Sequence, residues 1–243
     1  AYDIPAAISG TGTRSCTIQD SKFIHLGGYA VALEKGSQDD RIVGNEMTDL
    51  GAGGVKIGDP KIPTDKQSES GTNQITDNHI HNIGIVYPAA VGVWIGQSGN
   101  NVVSHNEIND TYYTAISVGW TWGYGPTAAR DNLIEFNNLH NIGRGMLSDM
   151  GCIYTLGVQP GTVERNNVCR DVSRYKYGGW GIYTDEGSSN ILVEDNVVYR
   201  CEDGCFHQNY GEANVLQNNV FALGDTAQIR RSRRSTAATC EPR

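Results

Sequence analysis

One pattern of apolar and polar positions recurs along the chain: apolar-x-x-Asn-x-apolar. It reads Ile42 to Met47 around Asn45, Ile75 to Ile80 around Asn78, Val103 to Ile108 around Asn106, and Ile134 to Leu139 around Asn137. Further copies run Val163 to Val168 with Asn166, Val193 to Val198 with Asn196, and Val215 to Val220 with Asn218. Ile18 to Phe23 is a degenerate first copy with Ser21 in the Asn place. Successive asparagines lie about 22 to 33 residues apart, the spacing of solenoid coils that carry loops of variable length.

After each asparagine comes a second short apolar segment of period two, not 3.6. Examples are Val55-Lys56-Ile57, Val93-Trp94-Ile95, Ile116-Ser117-Val118, Ile153-Tyr154-Thr155 and Ile182-Tyr183-Thr184. Val, Ile and Thr would point inward and stack coil on coil. Lys56, Trp94, Ser117, Tyr154 and Tyr183 would form an outward column. The pattern predicts an all-β fold, a right-handed parallel β-helix of about seven to eight coils with strands about 4.8 Å apart. A single domain should span residues 1–229. Asparagine side chains stacked at a bend would form a hydrogen-bonded ladder.

Two coils carry long insertions, Asp59 to Thr72 and Trp120 to Asp131. Insertions in one register collect on one side of a solenoid and wall a groove there. Trp120 and Trp122 in one insertion, with Trp94, Tyr154 and Tyr183 from the column, would line it with aromatic faces. Such faces suit the apolar sides of sugar rings. His207 and Glu202, in the following coil, would border the same groove. Residues 230–243, with Arg230, Arg231, Arg233 and Arg234, read as an irregular basic tail outside the repeat. No cap over the last coil is visible, so the natural protein is expected to continue beyond both ends of this chain.

Composition narrows the classes. The 243 residues are 38% hydrophobic, enough for one sizeable core. A formal net charge of −8 argues against a nucleic-acid partner. No apolar run approaches the roughly 18 residues of a membrane span, so no membrane partner is expected. No signal sequence opens the chain, which begins at Ala1. The six cysteines lack zinc-like paired spacing, so neither metal nor cofactor is expected. They read as small buried thiols, with Cys201 and Cys205 close enough in sequence to bridge.

The stretch from Ser148 to Ser189 concentrates the candidate chemistry. The motifs Leu147-Ser148-Asp149-Met150-Gly151 and Tyr183-Thr184-Asp185-Glu186-Gly187-Ser188-Ser189 stand in it. With Phe23 to Ala30 and Asp49 to Gly54, they resemble the β-helix glycoside hydrolases of family 141, over about Arg14 to Arg233. The resemblance implies a secreted or periplasmic enzyme acting on fucosyl- or xylosyl-containing plant cell-wall glycans. It also implies an acidic pair at Asp149 and Asp185. Glycoside hydrolysis needs one protonated and one ionised carboxyl beside the scissile bond. Glu186 is the reserve partner.

Two registers relate the candidates. Aligning Ile153-Tyr154-Thr155 with Ile182-Tyr183-Thr184 fits the loop lengths better, yet it puts Asp149 before its strand and Asp185 after one. In extended chains they would stand apart unless the Gly145–Gly151 loop folds back over the outer face. Aligning Gly145–Gly151 with Gly181–Gly187 would stack the two aspartates directly. Two rival functions remain: a polysaccharide lyase on uronate polymers using Asp149, Asp185 and Glu186 with Arg144 or Lys176, and a non-catalytic carbohydrate-binding β-helix. Asp39-Asp40 reads as a turn.

Overall fold

The computed structural model describes residues 2–232 and 239–240. Its strands form three long parallel sheets of nine, nine and eight strands, plus a two-stranded pair. We call the long sheets I, II and III in the order in which each coil visits them. The first coil runs Ala6–Gly10 in sheet I, Thr17–Gln19 in sheet II and Lys22–Leu26 in sheet III. Eight such coils follow one another, as the period predicts. A ninth adds Ala227–Arg231 to sheet I and Thr239–Cys240 to sheet II. Arg230 and Arg231 therefore belong to the repeat, and the boundary expected at residue 229 is corrected. Arg233 and Arg234 lie outside the described residues. Each coil has three strands rather than two, because the asparagine pattern spans a tight corner between a sheet II strand and a sheet III strand.

At that corner the residue before the ladder asparagine takes the left-handed conformation, as at Asp77 (φ 59°), His105 (φ 55°) and Asn166 (φ 54°). The next side chain turns inward and stacks. Asn45, Asn78, Asn106, Asn137, Asn167, Asn196 and Asn219 are linked by amide-to-amide bonds of 2.9 to 3.0 Å. The expected ladder residues Asn166 and Asn218 are corrected to Asn167 and Asn219. Where two asparagines adjoin, the first takes the strained bend, which Asn tolerates, and the second stacks. That shift of one residue reverses the faces of the preceding strand. Glu164, not Val163, then points into the core, in line with Ile134 and Val193. A second ladder, unforeseen from the sequence, runs Asn73, Asn101 and Asn132 at the corner between sheets I and II. Asp40 joins its lower end through its backbone N–H, and Asp39 before it makes a bend with φ 59°.

The interior is a continuous apolar stack from Phe23 to Leu216. It includes Cys152 and Cys169, which form a disulfide, while Cys201 and Cys205 are buried free thiols. The expectation of free thiols throughout is thus corrected. The bond crosses the interior from sheet I to sheet III, a pairing not signalled by sequence spacing.

Candidate active site

The site lies on the outer face of sheet I. Its register aligns Lys56, Trp94, Ser117, Tyr154, Tyr183, His207 and Arg230 in one column. Ile153-Tyr154-Thr155 pairs with Ile182-Tyr183-Thr184, so the first of the two registers is the one formed. Asp149 accordingly precedes its strand, Met150–Leu156, and Asp185 follows its own, Gly179–Thr184.

They nevertheless converge, because sheet I is bent. In a regular strand, side chains alternate faces. Here Cys152 and Ile153 are successive residues and both point into the core, as do Cys205 and Phe206. The outer face is folded on itself at that point. Trp180 and Tyr183, three residues apart, both point outward with ring centroids 4.2 Å apart. Asp149 has φ 64° and turns the preceding loop over this concave face. Its backbone N–H donates to the Tyr177 carbonyl at 3.1 Å, and its carbonyl accepts from the Tyr113 hydroxyl at 2.9 Å.

The Tyr183 hydroxyl donates to Asp149 Oδ1 at 3.2 Å. Asp149 and Asp185 line the same cavity, and Asp185 is close enough for its charge to raise the pKa values of both Asp149 and Tyr183. The surroundings of the two aspartates differ. Burial raises the Asp149 pKa above the ordinary carboxylate range, and the negative charge of Asp185 raises it further. Asp185 is almost fully buried. Its Oδ2 accepts from the Tyr154 hydroxyl at 2.6 Å and its Oδ1 from Asn209 Nδ2 at 2.8 Å. Donors on both oxygens are what an ionised carboxylate requires. Burial and the adjacent carboxylate charge raise the Tyr154 and Tyr183 pKa values, keeping both phenols protonated.

Asp149, Asp185 and Glu186 line one open cavity of about 570 Å³ with Trp120, Trp122, Tyr154, Tyr183 and His207. Trp94, expected among the groove aromatics, is not among the residues lining this cavity. Its ring stacks with Tyr2 at 5.8 Å and meets Trp120 at 5.9 Å, leaving it 1% exposed at the edge of a neighbouring cavity. Glu186 is held by the Tyr210 hydroxyl at 3.0 Å. Its backbone carbonyl accepts from Gly123 and Gly157, fastening the Trp120–Asp131 insertion to the site. Gly187 follows it because a Cβ there would lie 2.1 Å from the Gly123 carbonyl oxygen. His207 stacks on Trp180 at 4.2 Å. Burial, assisted by Arg230, pushes its pKa down to about 4, so the imidazole is neutral. Glu202 is elsewhere: it lines a groove beside Arg144 and Arg200 and accepts from the Arg174 N–H.

Sequence reasoning missed Tyr113, Tyr177, Trp180, Asn209 and Arg230 as cavity residues. The column register was the available signal for Arg230, since it continues Tyr154, Tyr183 and His207. Asp203 was also missed. It accepts from the Gly178 N–H and pairs with Arg174 at 3.1 Å, holding the turn behind Asp149. Among the described residues, no group of three or more His, Cys, Asp or Glu side chains is arranged to hold a metal ion.

A family model described as "Right handed beta helix region" matches residues 6–149. No curated protein matches the sequence. Among solved structures, one named "Glycoside hydrolase" superposes with a TM-score of 0.71 at 25% identity, over 91% of this chain and 38% of that one. An alginate lyase from Paenibacillus sp. str. FPU-7 is similar at a TM-score of 0.56 and 15% identity, over 88% of this chain and 72% of that one. A GH136 lacto-N-biosidase from Eubacterium ramulus is similar at 0.55 and 10% identity, over 98% and 50%. The last two likenesses concern the fold alone. This chain spans 38% of the length of the glycoside hydrolase it resembles.

Proposed function

The chain belongs to the right-handed β-helix family, and on that premise we propose that it is a glycoside hydrolase with Asp149 as general acid and Asp185 as its ionised partner. One observation carries the reading: two carboxyls of unlike surroundings face one aromatic cleft, close enough that the charge of Asp185 raises the Asp149 pKa. Divergent environments around paired carboxyls are how acid and base roles are divided. Burial raises the Asp149 pKa, which favours the protonated form that passes its proton to the departing sugar oxygen. Asp185, an acceptor for Tyr154 and Asn209, serves as nucleophile or base on the opposite side.

The similarity to a structure named as a glycoside hydrolase supports the same class. Membership of family 141, with fucosyl- or xylosyl-containing wall glycans as substrate, is the finer part of the proposal. It rests on the Leu147–Gly151 and Tyr183–Ser189 motifs. Trp120, Trp122, Tyr154, Tyr183 and His207 would contact the sugars, with Trp122 offering the most exposed ring. A secreted or periplasmic site of action fits the Cys152–Cys169 disulfide, which persists in oxidising compartments. The test is release of reducing sugar from a panel of plant wall glycans. Wild type should release it, and Asp149→Asn and Asp185→Asn should each lose about 10³-fold or more while keeping the wild-type circular dichroism spectrum. Full activity in either folded variant removes that residue from the mechanism. Unsaturated products absorbing in the ultraviolet would instead establish a lyase.

A further inference from the structure

The described lining of the cleft carries one permanent cation. Among its described lining residues, Asp149, Asp185 and Glu186 are carboxyls, His207 is neutral, and Arg230 is the only Lys or Arg. Arg230 lies in the strand Ala227–Arg231, directly beside His207 in the outward column. From Tyr183 it is two coils away, roughly 10 Å at about 4.8 Å per coil. That displacement runs along the solenoid axis, past the reacting centre.

Among the described residues, the guanidinium is engaged by no close ion pair. Its nearest acidic partner is Asp203, with Nη1 4.0 Å from Oδ1. Asp203 is already satisfied by Arg174 Nε at 3.1 Å, by the Gly178 N–H, and by the Thr226 hydroxyl at 3.4 Å. Arg230 stays about half exposed, facing the cleft with its fork of donors available. The opposite end of the cleft is apolar, closed by the mutual contacts of Tyr2, Trp94 and Trp120. The groove is therefore polarised along its length: aromatic at one end, carboxyls in the middle, a cation at the other end.

A guanidinium matches a carboxylate bidentately, and neutral sugars offer no such partner. We propose that Arg230 recognises the carboxylate of an acidic sugar, a uronate residue bound beside the ring under attack, and so selects uronate-bearing glycans. This rests on the hydrolase reading of the same cleft. It places the acidic sugar on the Arg230 side and the ring that packs on Trp120 and Trp122 on the other.

The test reads binding and needs no turnover. The tryptophan fluorescence of the intact protein is titrated with oligogalacturonate and glucuronate-bearing xylo-oligosaccharides, and with galacto-oligosaccharides and xylo-oligosaccharides of equal length. At least one acidic series should bind about tenfold or more tightly than its neutral counterpart, with the advantage shrinking as salt rises. Arg230→Gln should bring that ratio close to one, and Arg230→Lys should retain part of it. Equal binding of acidic and neutral series, no binding of either acidic series, or an acidic preference that survives Arg230→Gln overturns the proposal. Acid-selective binding with no sugar released from any glycan would overturn the hydrolase reading and leave this one standing.

Discussion

Glu164 offers a measurement of how sharply the register of this solenoid is set. Its strand neighbours at the same inward position are Ile134 and Val193. The residue has no exposed surface, and neither carboxyl oxygen has a hydrogen-bond partner. Burial alone pushes its pKa from 4.5 up to about 8. The folded state thus binds a proton that the unfolded state releases above pH 4.5. Stability from this group is fully present below pH 4.5, declines by about 1.4 kcal/mol per pH unit, and levels off above pH 8. At pH 7 the cost is about 3 kcal/mol, and across the whole window about 5 kcal/mol. Glu164→Val copies the residue of the next coil at nearly equal volume. It should stabilise the protein by about 3 kcal/mol at pH 7, or about 6 to 12 °C in Tm for a chain of this size. The gain should be small at pH 4 and largest above pH 8. Denaturant melts of both proteins at pH 4, 5, 6, 7, 8 and 9 measure the difference curve, in which other titrating groups cancel. A flat difference, or a destabilised variant at pH 7, would refute both the orphaned carboxyl and the register that buries it.

Three further outcomes follow from the site and its support. The rate should fall at alkaline pH as Asp149 loses its proton, with a midpoint above the ordinary carboxylate range because burial and Asp185 raise its pKa; Asp149→Asn should abolish that limb along with the activity. Tyr183→Phe removes the hydroxyl that donates to Asp149 and should slow turnover about 10- to 100-fold, the worth of a hydrogen bond to a charged group. Its alkaline limb should move to higher pH, because the Tyr183 bond is what lowers the Asp149 pKa; an unmoved limb with full rate would detach Tyr183 from the pair. Cys152→Ser opens a cross-link spanning 17 residues and should cost about 3 kcal/mol, read as a lower Tm that reducing agent no longer changes. A Tm equal to the oxidised wild type would mean that the bond contributes nothing.

The fold was legible because its signal is repeated. Seven copies of one asparagine pattern outweigh the ambiguity of each, and the outward column emerged in its observed order. The errors came where two asparagines adjoin. Asn166-Asn167 and Asn218-Asn219 fit the pattern equally well, and only the left-handed φ of the first member separates them. Choosing the first of each pair hid Glu164 in an exposed position. The candidate aspartates were legible as residue types at unusual places, Asp149 in a loop and Asp185 where earlier coils have Gly58, Gly96 and Gly119. Their meeting was not legible. Period-two reasoning assumes a straight strand, and the bend at Cys152–Ile153 is a break in alternation within a run that is apolar on both sides. Trp94, expected in the groove, lies instead under Tyr2.

The coil that begins at Met150 bears two departures from the repeat at once: the buried carboxyl of Glu164 and the Cys152–Cys169 disulfide. Their energies are comparable and opposite. A buried Glu164 costs about 3 kcal/mol at neutral pH, and the cross-link returns about 3 kcal/mol by restricting the unfolded chain. Repeats of a solenoid draw stability from their nearest neighbours, so a weak coil weakens the two that flank it. Here the flanking strand is the one that carries Tyr183 and delivers Asp185. A disulfide anchored at Cys152 fixes the bend from the inside, at the residue where the outer face folds. The cross-link therefore supports the geometry on which the Asp149–Asp185 pair depends as well as the fold in general, and it does so in the coil that can least do without it.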